Sequence, residues 1–149
     1  MIEPAEQEST RPLRVLLVED NDDDIVSATR TIAACSVACE VEVARDGPEA
    51  MELLQRDASE GHAIPDLMLL DVGLPGADGL ELLRSVREVD SLSTMTVILL
   101  TGSESEEHVR TGQLLGAHTQ LAKPIPAPTF AWIAKAVQRC AERLETRTA

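Results

Sequence analysis

Five short apolar runs are spaced along the chain, separated by longer segments in which apolar residues recur every three or four positions. One run begins roughly every 25 residues, which is about the length of a strand followed by a helix. Runs that are apolar almost throughout are typical of a parallel sheet with helices on both faces. In chain order they are LRVLLV (13–18), CEVEVA (39–44), DLMLLD (66–71), TVILLT (96–101) and TQLA (119–122).

The segments between the runs predict five helices, each with one apolar face. Turn residues support these divisions: Pro48 stands near one helix start, the sequence DGLELL opens another, and Gly116 ends a third. Alternating strands and helices predict an α/β fold with a doubly wound, five-stranded parallel sheet. The chain has 149 residues, enough for one domain, which we expect at 13–145 between a disordered leader at 1–12 and a tail at 146–149.

Charge and cysteine content exclude several classes of protein. The net charge of −13 repels phosphate backbones and anionic membranes, which argues against direct binding to either. No apolar run approaches the roughly 18 residues that span a bilayer, and the start MIEPAEQEST lacks the features of a secretion signal, so we expect a cytoplasmic protein. Cys35, Cys39 and Cys140 have no zinc-ligand spacing and are odd in number, which predicts small packing residues.

The residues that follow the apolar runs carry the candidate chemistry. In open doubly wound sheets the functional crevice lies beyond the carboxyl ends of the strands. The first strand is followed by Glu19 and Asp20, the third ends in Asp71, the fourth in Thr101, and the fifth is followed by Lys123. We therefore expect carboxylates, a hydroxyl and an ammonium to meet at one edge of the sheet.

Carboxylates that are crowded together repel one another unless some are protonated or a cation lies among them. Magnesium suits such a site, because it takes oxygen ligands and typically uses one or two carboxylates together with a phosphate oxygen. An aspartate whose charge is partly neutralised can accept a phosphoryl group as an acyl phosphate, which makes Asp71 the candidate nucleophile. Lys123 would balance the added charge, and the Thr101 hydroxyl could donate a hydrogen bond to a phosphoryl oxygen.

The acids Asp22, Asp23 and Asp24 need a separate explanation. They stand where a helix begins, and acidic side chains there accept hydrogen bonds from free N–H groups and favour the helix dipole. A calcium-binding EF-hand loop would need Gly and Glu at the positions that Ile25 and Thr31 occupy. We therefore expect residues that start a helix rather than metal ligands.

Four segments, in this order and spacing, resemble the receiver domain of two-component response regulators: LLVEDN (16–21), DLMLLDVGLPGADGLELL (66–83), VILLTG (97–102) and LAKP (121–124). The resemblance implies a flavodoxin-like strand order, 2-1-3-4-5. It also implies that a sensor histidine kinase supplies a phosphoryl group in a magnesium-dependent reaction. Such a protein catalyses only its own phosphorylation and dephosphorylation, so we do not expect an enzyme in the usual sense.

The resemblance also implies a role for each residue of the metal site. Asp71 matches the phosphoacceptor, and Asp20 matches the direct magnesium ligand. Glu19 matches an acidic neighbour that acts mostly through water, and the backbone carbonyl of Gly73 matches the remaining protein ligand.

The second half of the site matches the family less well. Thr101 matches the switch hydroxyl that moves toward the phosphoryl group, and Lys123 matches the lysine that pairs with it, usually before a cis peptide bond to proline. Family members commonly carry Tyr or Phe three residues before that lysine, where this chain has Gln120. The small residues Gly73 and Ser103 stand where the family tunes loss of the phosphoryl group, which predicts ready access of water.

The leading hypothesis is a stand-alone response regulator that signals by docking to a downstream protein or by forming a homodimer through the fourth helix, fifth strand and fifth helix. Short regulators beginning LLVEDN also resemble those that serve bacteriophytochrome kinases, so a light-sensing kinase is one candidate partner. A receiver-like interaction module that works without phosphorylation stays open, because Gln120 replaces the aromatic switch.

Two enzyme or carrier classes fit less well. A haloacid-dehalogenase-like phosphatase needs a second Asp where the chain has Gly73. A flavodoxin-like electron carrier needs a phosphate-binding loop after the first strand and aromatic side chains to stack on flavin, and this chain has only Phe130 and Trp132.

Overall fold

The computed structural model describes residues 11–61, 64–74, 78–102 and 106–148. Within them, five parallel strands form one sheet in the order β2-β1-β3-β4-β5, which confirms the predicted topology. The third strand begins one residue later than its apolar run, and the other four have the predicted bounds. The strands are β1 (Leu13–Val18), β2 (Cys39–Ala44), β3 (Leu67–Asp71), β4 (Thr96–Thr101) and β5 (Thr119–Ala122).

Five α-helices connect and follow the strands, as the periodicity predicted. A short 3₁₀ helix at Asp90–Leu92, which the sequence did not indicate, lies before β4. The α-helices are α1 (Asp22–Ala33), α2 (Gly47–Ser59), α3 (Asp78–Glu88), α4 (Glu106–Leu114) and α5 (Ala127–Thr148).

The core lies in two layers, one on each face of the sheet. Side chains alternate along β1, so that Leu17 packs with the buried residues of α1 and α5, and Leu16 packs with those of α2 and α3. The two layers bury most of the apolar positions that defined the helical faces. This arrangement leaves the carboxyl edge of the sheet, between the helices, as the place where polar side chains can gather.

The burial of each strand reflects its place in the sheet. All five residues of the central strand β3 are buried, whereas the edge strand β2 alternates between half-buried and exposed positions before the buried Ala44, and β5 buries only Leu121. Continuous apolar runs therefore mark the centre of the sheet, where β1 and β3 lie side by side.

The last helix extends into the segment that the sequence predicted as a tail. Helix α5 continues through Thr148, beyond the expected end at residue 145, because the segment 138–148 contains no Gly or Pro to interrupt a helix. The predicted leader lies, over residues 1–10, outside the described residues. Cys140 is exposed on α5, so the prediction of a packing role holds for Cys35 and Cys39 alone. No helix in the described part of the chain is long and apolar enough to cross a membrane.

Helix ends show the predicted turn chemistry. Pro48 lies at the start of α2, where the Asp46 side chain accepts a hydrogen bond from the backbone N–H of Glu49 at 2.8 Å. Beyond the end of α4, Gly116 has a φ of +106°, a conformation that favours glycine.

Candidate functional site at the carboxyl edge of the sheet

The register of the sheet brings the predicted residues together. Strands β1 and β3 are paired neighbours, so Glu19 and Asp71 lie side by side at their carboxyl ends. Beyond β4 and β5, the backbone N–H of Lys123 donates to the carbonyl oxygen of Thr101 at 2.8 Å. The Lys123–Pro124 peptide bond is cis, as expected.

Three carboxylates form a cluster in which a metal ion could bind. Glu19, Asp20 and Asp71 each offer an oxygen atom, and these atoms lie within 4.8 Å of one another. Glu19 and Asp71 are only 1% and 2% exposed, whereas Asp20 faces solvent. An all-oxygen set with one open side fits a hard divalent cation such as magnesium, which retains several waters when it binds.

Burial strongly affects the protonation of Glu19. Loss of hydration, followed by the hydrogen bond to Asp71 and the repulsion from its charge, raises the pKa of Glu19 from 4.5 to about 7. The backbone N–H of Asn21, which donates to Glu19 Oε2 at 3.2 Å, opposes this rise. Near neutral pH the Glu19 carboxyl therefore holds a proton more readily than an exposed glutamate does.

Lys123 supplies the positive charge of the site. Its Nζ lies 3.3 Å from Glu19 Oε1, 3.3 Å from Asp71 Oδ1 and 2.9 Å from Asp24 Oδ2. Burial alone would lower the pKa of Lys123, but the hydrogen bond to Asp24 and the charges of Asp71 and Glu19 outweigh it and raise the pKa. The side chain is therefore a permanent cation at this edge.

The backbone after β3 fixes the orientation of the Asp71 carboxylate. The backbone N–H of Gly73 donates to Asp71 Oδ1 at 2.9 Å. At the start of α3, a Cβ atom on Gly79 would lie 3.1 Å from the carbonyl oxygen of Asp71, so glycine allows the helix to approach closely. Gly73 is exposed, and Ser103, the other position that we associated with the lifetime of the phosphoryl group, lies outside the described residues.

Among the described residues, the contacts of Thr101 and Gln120 are weaker than those of the acidic cluster. The Thr101 hydroxyl donates to the carbonyl oxygen of Leu121 at 3.4 Å, a long hydrogen bond. Gln120 is exposed on β5, and Phe130 is fully buried in the core. Neither Gln120 nor Phe130 therefore provides a surface ring that could turn inward when Thr101 moves.

The prediction that Asp22, Asp23 and Asp24 cap α1 was wrong in one respect. The capping side chain belongs to Asn21, whose Oδ1 accepts from the backbone N–H of Asp24 at 2.9 Å. Asn is a preferred capping residue, so its position just before the acidic run was a usable sequence signal. The three aspartates fill the first turn, where they still favour the helix dipole.

Sequence reasoning missed the contact between Asp24 and Lys123. The two residues are separated by 99 positions, so no local spacing indicated it. The usable signal was geometric: side chains in a helix tilt toward its N-terminus, and a first-turn residue of α1 therefore extends over the ends of the strands. Another first-turn acid, Asp22, pairs instead with Arg45 on the surface.

Comparisons with known proteins find a family model and several relatives that match this chain. The family model for the response regulator receiver domain matches residues 15–134. Response regulator Rcp1 of Synechocystis is 33% identical over 117 residues, which are 78% of this chain and 80% of Rcp1.

Solved structures with similar folds include phytochrome response regulators. The bacteriophytochrome response regulator AtBRR is 34% identical with a TM-score of 0.72, over 86% of this chain and 93% of AtBRR. The phosphorylated cyanobacterial phytochrome response regulator RcpA is 30% identical with a TM-score of 0.69, over 86% of this chain and 92% of RcpA. The Mn²⁺-bound form of Rcp1 is 31% identical with a TM-score of 0.68, over 85% of this chain and 90% of Rcp1.

Proposed function

Because this chain belongs to the receiver-domain family of two-component response regulators, we propose that Asp71 accepts a phosphoryl group from a sensor histidine kinase in a magnesium-dependent reaction. One observation carries the proposal: the buried Asp71 carboxylate belongs to the acidic cluster and also contacts the Lys123 ammonium. Such a site can neutralise charge on both the nucleophile and the transferred group. A manganese ion in the related Rcp1 supports a divalent cation here.

The chain's own residues define the steps. Glu19, Asp20 and Asp71, with the Gly73 carbonyl, would hold the magnesium ion, which would draw negative charge from Asp71 and from the incoming phosphoryl group. An Asp71 oxygen attacks the phosphorus atom, the P–N bond of phosphohistidine breaks, and the imidazole leaves as the acyl phosphate forms. Catalysis is limited to this phosphorylation and to hydrolysis of the acyl phosphate, in which water restores the Asp71 carboxylate and inorganic phosphate leaves.

The charged and hydroxyl groups on the other side of the site would receive the product. Lys123 Nζ already lies 3.3 Å from Asp71 Oδ1, within reach of an added phosphoryl oxygen. Thr101, at the end of the neighbouring strand, would exchange its long hydrogen bond to Leu121 for one to the phosphoryl group. This movement would carry the signal into the loop after β4.

The proposed partners follow from the relatives and from the surface. AtBRR and RcpA are phytochrome response regulators, which supports a bacteriophytochrome as the candidate kinase. For output we propose docking to a protein or formation of a homodimer, because Leu114 and Trp132 are 83% and 73% exposed on α4 and α5. The acidic charge of the chain disfavours nucleic acid as the target.

Intact-mass measurement tests the proposal directly. We expect the wild-type protein, incubated with magnesium and phosphoramidate, to gain the mass of one phosphoryl group. Asp71→Asn and magnesium removal with a chelator should each abolish the gain. A gain that persists in Asp71→Asn would place the phosphoryl group on another residue and contradict the assignment.

One observation favours a second function, an interaction module that works without phosphorylation. Gln120 and Phe130 leave the site without the ring that commonly reports the switch in this family. The same measurement distinguishes the two functions, because the interaction module would gain no mass under any of these conditions.

A further inference from the structure

The Lys123 ammonium has three N–H donors, and three carboxylates accept from it. The Asp24 contact is 2.9 Å long, whereas those to Glu19 and Asp71 are both 3.3 Å. Charge-assisted hydrogen bonds of this kind are typically about 2.7–2.9 Å long. Only the contact with Asp24 has that length, so the ammonium is held more closely by Asp24 than by the proposed nucleophile.

Asp24 differs from the other two acceptors in its position. It is not one of the three acids whose oxygen atoms converge on the candidate metal site, and it belongs to α1 rather than to a strand end. Its backbone N–H is fixed by the Asn21 cap, and its side chain is 37% exposed. A cation bound by Glu19 and Asp71 would therefore leave Asp24 free to keep its contact with Lys123.

We propose that Asp24 is a positioning residue that holds Lys123 Nζ beside Asp71 and prevents it from forming a shorter ion pair with the Asp71 carboxylate. The inference rests on the proposed phosphorylation of Asp71. Without Asp24, the nearest acceptors for Lys123 among the described residues are Glu19 and Asp71. A shorter ion pair would then occupy the Asp71 oxygen that must be available for attack, and phosphorylation would slow.

The composition of the chain allows a direct test of the contact. Lysine occurs only as Lys123 and Lys135, and Lys135 is exposed on α5. In protein labelled at lysine Cε and Nζ, Asp24→Asn should shift the Lys123 resonances and speed exchange of its ammonium protons with water, while Lys135 stays unchanged. Asp23→Asn is the matched control, because it removes the same charge from the same turn at a residue that does not contact Lys123.

Kinetics test the consequence of the contact. At saturating magnesium, so that altered metal affinity does not enter, Asp24→Asn should slow phosphorylation by phosphoramidate about three- to tenfold, the size expected for one partly exposed charged hydrogen bond. Asp24→Glu, which keeps the charge, should recover part of the rate. Asp23→Asn should stay within about twofold of wild type.

The outcomes separate this inference from the proposed function. Lys123 resonances that do not move in Asp24→Asn overturn the inference. The inference is also overturned if the Lys123 resonances move in Asp24→Asn but this variant is phosphorylated as fast as Asp23→Asn. Asp24 would then hold the lysine without affecting the reaction. A wild-type protein that gains no phosphoryl group overturns the proposed function and, with it, the role of Asp24 in the reaction.

Discussion

The two halves of the carboxyl edge are built differently. On the β1–β3 half, Glu19 and Asp71 are almost fully buried, and each accepts hydrogen bonds from Lys123 and from a backbone N–H. On the β4–β5 half, Thr101 is half-buried, its hydroxyl makes a long hydrogen bond to the carbonyl oxygen of Leu121, and Gln120 is exposed. A site that must receive a charged group gains from fixed dipoles, whereas a switch must be able to move at low cost.

Lys123 joins the two halves. Its backbone pairs with Thr101 on β4, while its ammonium contacts carboxylates from β1, β3 and α1. A change of charge at Asp71 would therefore act on a residue whose backbone is hydrogen-bonded to β4. We call the β1–β3 half the acidic half and the β4–β5 half the switch half. The contrast between them predicts large effects for substitutions in the acidic half and small effects for substitutions in the switch half.

The largest effect should follow removal of an acidic ligand. Asp20→Ala should weaken magnesium binding by more than about 100-fold, because losing a direct ligand costs more than losing a supporting contact. Asp23→Ala, in the first turn of α1, should leave the affinity within about threefold. Isothermal titration calorimetry measures both, and equal losses in the two variants would mean that general charge, not ligation, attracts the ion.

Removal of the central cation should destabilise the metal-free protein. Lys123→Ala leaves Glu19 and Asp71 buried without their counter-charge, and should lower the free energy of unfolding by about 1–3 kcal/mol. Lys135→Ala, the exposed control, should change it by less than about 0.5 kcal/mol. Urea denaturation measures both changes. Similar changes in the free energy of unfolding for the two variants would contradict a stabilising role of Lys123 in the acidic half.

Magnesium binding should depend on pH through Glu19. The metal requires the ionised carboxylate, and the pKa of Glu19 is raised to about 7, so affinity should fall as the pH drops below about 7 and level off above it. The slope should not exceed about tenfold per pH unit for one proton. Calorimetry in a pH series measures this, and an unchanged slope in Glu19→Gln would assign the proton to a different group.

The smallest effects should come from the switch half. Thr101→Ala and Gln120→Ala should each change the free energy of unfolding by no more than about 0.5 kcal/mol, because one loses a long hydrogen bond and the other an exposed side chain. Urea denaturation of the unphosphorylated proteins gives both values. A loss as large as that of Lys123→Ala would remove the contrast between the halves.

Much of the architecture was predictable because it depends on local patterns. The apolar runs gave four of the five strands their bounds, and the rule that parallel strands present their carboxyl ends at one edge brought Glu19, Asp71 and Lys123 together. Helix α5 extends into the predicted tail at 146–149, since helix-forming residues continue there without a stop. Those differences concern boundaries and leave the arrangement intact.

The contacts that sequence reasoning missed depend on three-dimensional direction rather than on spacing. The ion pair of Asp24 with Lys123 requires knowing how α1 leaves the end of β1, which residue types alone do not state. Likewise, the raised pKa of Glu19 follows from burial beside Asp71, and the same two residues on an open surface would both be ionised. Composition indicated an acidic site, whereas the burial of Glu19 and the contacts of its carboxylate depend on how the chain packs.

The two outer strands of the sheet differ in how readily they could pair with another chain. Exposed edges can add strands from a second molecule, and charged side chains along an edge oppose this. Along β2, Glu40 and Glu42 are exposed at alternate positions, so two copies meeting there would bring like charges face to face. The residues of β5 carry no charge, which leaves that edge as the one where a continuous sheet across two molecules could form without electrostatic repulsion.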